Sequence, residues 1–110
     1  MAAKKTEVAK ADERLTTTIL VTNHTGHSIW ARVTKQTGPG DTSYFKIPNG
    51  GTEPWERLMY TKITVMVKFS SDGPVIAEKE QYLNMPAWEL TITEDRSENP
   101  KLKARRRKLH

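Results

Sequence analysis

Ile63-Thr64-Val65-Met66-Val67-Lys68-Phe69 carries the strongest strand pattern in the chain. Ile63, Val65, Val67 and Phe69 fall on one side of a pleat, and Thr64, Met66 and Lys68 on the other. Ile63, Val65 and Val67 are β-branched, a shape that packs well on a pleated surface. A strand with one apolar face has to bury it against a second layer. The stretch therefore points to a small protein built from sheets.

The segments on either side repeat the alternation. Over Leu15–Asn23, Leu15, Thr17, Ile19 and Val21 share one face. Over Ser28–Thr34, Ile29, Ala31 and Val33 point inward and Trp30, Arg32 and Thr34 outward. The short Asn23–His27 break between these two runs predicts an antiparallel hairpin. Tyr44–Ile47 reads as a short third strand. Asn49-Gly50 has the composition of a type I′ hairpin turn where strands flank it closely. Pro54 assigns Thr52–Arg57 to a sheet edge or a crossing segment, because proline has no ladder donor. After a turn at Ser70–Pro74, Val75–Glu80 forms a short strand and Gln81–Pro86 is irregular. Trp88, Leu90 and Ile92 mark a final strand. Turn signals recur about every 8–12 residues, and no sustained helical period interrupts them. The predicted fold is all-β: a small antiparallel β-sandwich of six to seven short strands over residues 15–94. Residues 1–14, rich in Ala, Lys and Glu, read as a flexible arm. Residues 95–110 read as a polar linker and a basic tail.

A chain of 110 residues has room for one such domain. Its hydrophobic content of 35% and mean hydropathy of −0.70 leave part of it outside a packed core. With no cysteine, disulfides and thiolate chemistry are excluded. No apolar signal segment and no run near the ~18 apolar residues of a membrane helix is present, so a soluble, cytoplasmic protein is expected. Homo-oligomerisation through a strand edge would add burial to a small core. Asn23-His24-Thr25 matches the glycosylation sequon. The net charge is +5, yet the last ten residues hold six Lys or Arg and no acid, which leaves residues 1–100 at −1. The basicity thus belongs to the C-terminus.

Chemistry-bearing residues are few. His24 and His27, with Asp41 or Glu53, have the donor types of a metal site, but two histidines in one turn more simply read as solvated, and no metal or cofactor is expected. No Gly-x-Ser-x-Gly elbow or phosphate-cradling glycine loop occurs. Glu53/Glu56 and Glu78/Glu80 would serve acid–base chemistry only if buried together. An enzyme is not expected. Trp88 is in phase with Leu90 and Ile92 and reads as core. Trp30, Arg32, Tyr44 and Trp55 are the candidate ligand-binding residues, since exposed rings offer flat apolar faces with polar tips. They suggest a lectin-like binding module for a glycan, a lipid headgroup or a protein. The alternative rests on Lys101, Lys103, Arg105, Arg106, Arg107 and Lys108. These would neutralise nucleic-acid phosphates or an anionic surface, as in a nuclear or capsid-like self-assembling protein.

Overall fold

The computed structural model describes residues 16–38, 40–94 and 100–106. The arm read over 1–14 lies outside these residues, as do Arg107 and Lys108. Eight strands are described: β1 Thr16–His24, β2 Ile29–Val33, β3 Phe45–Ile47, β4 Thr52–Leu58, β5 Lys62–Lys68, β6 Ala77–Tyr82, β7 Ala87–Glu94 and β8 Pro100–Arg106. They form two four-stranded sheets, ordered β4-β1-β7-β8 and β3-β2-β5-β6. β1 and β7 run parallel, and the other neighbouring pairs are antiparallel. The expected all-β sandwich is the observed fold.

The core is where the apolar parities of the two sheets meet. Ile19, Val21, Trp55, Trp88, Leu90 and Ile92 come from the first sheet, and Ile29, Ala31, Val33, Ile47, Ile63, Val65 and Val67 from the second. β5 lies inside the second sheet with Ile63, Val65 and Val67 buried, as its alternation predicts. Phe69 departs from it. It follows the strand, enters the β5–β6 loop and is 36% exposed.

Trp55 corrects the reading of a surface ring. It is 5% exposed and joins the core. The cause is phase. β4 is the edge of the first sheet, with Trp55 opposite Ile19, so both point between the sheets. Pro54 misled only in part: it does mark an edge strand, but its neighbour faces inward.

Two connections also differ from expectation. β1 and β2 do not pair, since each belongs to a different sheet. The side chain of Asn23 explains the crossing. It is fully buried, and its Nδ2 donates to the carbonyls of His27 (2.6 Å) and Ile47 (2.9 Å). Its Oδ1 accepts from Thr25 N (2.9 Å) and Thr25 Oγ1 (2.7 Å). This Asx turn redirects the chain into the second sheet and fastens β3 there. The sequon is therefore a structural tie, and its amide nitrogen is committed to two carbonyls. Likewise, Asn49-Gly50 closes no hairpin. Gly51 N donates to Pro48 O (2.8 Å), and of the two central residues only Gly50 has positive φ, +83°. That is the pattern of a type II turn, here passing from β3 to β4 in the other sheet.

The sandwich also continues past Glu94. β8 pairs antiparallel with β7 from Trp88↔Arg106 to Glu94↔Pro100. Leu102 stands opposite Ile92 and packs against the core. Residues 100–106 are thus an edge strand rather than a tail. A run of Lys and Arg conceals the alternate Leu102 and Ala104, which take register positions opposite Ile92 and Leu90.

Candidate ligand-binding face

The outward residues of β2 build the site. Trp30 and Arg32 point away from the core because Ile29, Ala31 and Val33 point into it. β2 is flanked by β3 and β5, so its outward residues acquire neighbours on both sides. Trp30 stands between Lys46 on β3 and Lys68 on β5. Lys46 Nζ lies 5.6 Å from the Trp30 ring centre. Tyr44, just before β3, is approached by two cations, Lys68 Nζ at 4.2 Å and the Arg32 guanidinium at 5.6 Å. Both are within cation–π range.

The result is one patch holding Trp30, Arg32, Tyr44, Lys46 and Lys68. Arg32, Lys46 and Lys68 have no carboxylate partner among the described residues. Lys68 Nζ does donate to Ser71 O (3.1 Å). Arg32 Nε is shielded from solvent without a hydrogen-bond partner among the described residues. Toward the far end of the same sheet the charges are balanced instead. Lys62 pairs with Glu80 at 3.7 Å. Glu78 shares the row of Arg32, one strand further out beyond Met66. Chemically, the patch offers flat apolar rings beside uncompensated positive charge. It has no buried acid–base pair and no grouped metal donors.

Three of the four ring-and-arginine residues singled out in the sequence therefore meet: Trp30, Arg32 and Tyr44. Trp55 does not join them. Lys46 and Lys68 were missed. Their signal is parity, since both share the outward face with Trp30, but it can be used only once β2 is known to lie between β3 and β5.

The outer face of the first sheet differs in character. It is lined by Thr residues, with Thr22 Oγ1 and Thr52 Oγ1 2.8 Å apart, and carries no aromatic ring among its described residues. On the sandwich flank, Gly40, Asp41, Phe45, Glu53, Trp55 and Arg57 line an open cleft of about 250 Å³. Two of its polar groups, Arg57 and Asp41, are already engaged. Arg57 donates to backbone carbonyls, and the Asp41 carboxylate accepts from Ser43 N (2.7 Å) and Ser43 Oγ (2.6 Å). The Ser43 hydroxyl, then the Ser43 N–H, hold the Asp41 carboxyl below its ordinary 3.8. A depressed folded-state value means that this turn helps the fold above pH 3.8 and stops helping as pH falls through the lowered value. Ser43→Ala is expected to raise the Asp41 titration toward 3.8, which carboxyl NMR would read.

The other candidates do not converge. Glu53 and Glu56 sit on opposite faces of β4, three residues apart. His27 Nε2 lies 3.4 Å from Glu94, and its ring meets Phe69 edge-on at 5.7 Å. His24 ends β1, exposed. Among the described residues no three His, Asp or Glu side chains are grouped as metal ligands, and no helix is long and apolar enough to cross a membrane. No protein-family model matches the chain, and no curated protein matches it in sequence.

Proposed function

We propose that the domain is a non-catalytic binding module, working inside the cell, whose ligand docks on the outer face of the second sheet. The observation that carries this is Tyr44 lying under Lys68 and Arg32, beside a half-buried Trp30 flanked by Lys46. Rings stabilised by cations form a preorganised platform, so little side-chain entropy is lost when a ligand lands on it. Such a platform suits a ligand with a flat or apolar part and a negative or hydrogen-bond-accepting part. A glycan, a lipid headgroup and a protein loop all meet that description.

The test is a titration of neutral glycans, sulfated glycans and lipid vesicles against the parent chain, Trp30→Ala and Tyr44→Ala. Both substitutions lie outside the core, so each variant should keep its β circular dichroism and lose no more than about 1 kcal/mol of stability. Each should lower affinity about tenfold or more, as loss of a central aromatic anchor does. Undiminished binding by both variants would move the site elsewhere.

A second reading keeps the C-terminal cations as polyanion contacts of a nucleic-acid-associated, self-assembling protein, cytoplasmic or nuclear. It is favoured by the register of β8, which puts Lys101, Lys103 and Arg105 at alternate positions opposite Thr93, Thr91 and Glu89 along a sheet edge. Nucleic-acid binding that survives neutralisation of these cations would remove it.

A further inference from the structure

Building on the binding-module reading, we propose that the ligand is an anionic bilayer surface. The domain would dock by the end of the second sheet that carries Trp30, Lys46, Lys68 and the β5–β6 loop. Three observations favour a membrane over a soluble glycan. First, Arg32, Lys46 and Lys68 are positioned by rings or a backbone carbonyl and not by acids, so their charge is uncompensated by the described residues. Juxtamembrane cations gain free energy from anionic headgroups in this state. Second, exposed apolar side chains follow the cations along the chain. The chain leaves Lys68 directly into a loop that exposes Phe69 (36%) and Val75 (40%), with Asp72 the one acid between them. A sugar could stack on Trp30 and Tyr44 without these residues, whereas a headgroup–acyl boundary accepts apolar side chains next to cations. Third, Trp30 and Tyr44 present an apolar body with a polar tip at the rim of this region, the side-chain type enriched where bilayer meets water. Toward the far end of the sheet Lys62 is paired with Glu80, which sets the orientation.

The test is cosedimentation of the full chain with phosphatidylcholine vesicles, with and without phosphatidylserine, at low and physiological salt. Binding is expected only with phosphatidylserine and should weaken with salt. Each cation near the surface is worth about fivefold in partitioning, so Lys46→Ala/Lys68→Ala should weaken binding about thirtyfold. Phe69→Ser should weaken it roughly fivefold through lost apolar insertion while keeping the salt dependence. Trp55 and Trp88 are buried, so a vesicle-induced blue shift in tryptophan emission would report on Trp30, and Trp30→Phe should abolish it.

Full binding by Lys46→Ala/Lys68→Ala, with loss on neutralising Lys101–Lys108 instead, overturns the proposal. Vesicle-blind protein that still binds a sulfated glycan in a Trp30-dependent way overturns the membrane and leaves the binding face standing. If no probe's binding changes in Trp30→Ala or Tyr44→Ala, both readings fall.

Discussion

Asn23→Asp should destabilise the sandwich by about 4 kcal/mol or more, which is most of the stability of a domain at the low end of the ordinary range of about 5–15 kcal/mol. The substitution changes one atom at a fully buried position. In the parent, Nδ2 gives its hydrogens to the His27 and Ile47 carbonyls, and Oδ1 takes the Thr25 N–H and hydroxyl. An aspartate keeps the second pair of bonds and loses the first. It then sets an acceptor against two carbonyl oxygens in a dry site. Each stranded buried group costs about 1–3 kcal/mol, and a buried unpaired charge adds to that. Protonation would restore one donor, so the loss should shrink in acid. Urea denaturation at neutral and acid pH reads both effects. Thr25→Ala removes only the hydroxyl bonds and should cost about 1 kcal/mol. A neutral-pH loss below 1 kcal/mol in Asn23→Asp would mean that Asn23 does not hold the crossing.

The same residue shows where sequence reading succeeds and where it stops. Alternation alone placed Ile29, Ala31 and Val33 inward and Trp30 and Arg32 outward, because a period of two is a local property. Trp88 was legible for the same reason. Pairing is not local. The short Asn23–His27 break is as compatible with a sheet change as with a hairpin, and only the long-range bond from Asn23 to Ile47 distinguishes them. The consequence reached the site. Without the order β3-β2-β5, Lys46 and Lys68 could not be placed beside Trp30 and Tyr44. Trp55 was misplaced because its neighbours Pro54 and Glu56 look solvated, and they are exposed, but on the opposite side of β4. At β8, charge composition outweighed a weak alternation at Leu102 and Ala104.

Arg57→Met tests the opposite end of the molecule, and its expected loss is about 3–5 kcal/mol. Arg57 lies opposite Thr17, near the start of β1, whereas Asn23 lies near the end of the same strand. It is 2% exposed, and its guanidinium ends on backbone carbonyls: Thr34 (3.0 Å), Val33 (2.6 Å), Asp41 (2.5 Å) and Glu56 (2.7 Å). β4 of the first sheet is thereby tied to the end of β2 in the second, and to the loop through Asp41. Gly40 belongs to the same arrangement, since its φ is +125° and a Cβ there would collide with Arg57 Nη1. Methionine fills similar volume but supplies no donors, so the carbonyls lose their partners while the packing is largely kept. Lysine should recover only part of the loss, because one ammonium cannot match a planar fork. Burial draws the Arg57 pKa below its ordinary value, and Asp41 opposes that. An arginine nonetheless stays charged in a protein, so the loss should be constant from about pH 5 to 9. That flatness separates it from Asn23→Asp, whose loss depends on pH. A marked pH dependence of Arg57→Met in this range, or a loss under 1 kcal/mol, would show that the carbonyls find water and that Arg57 does not join the sheets.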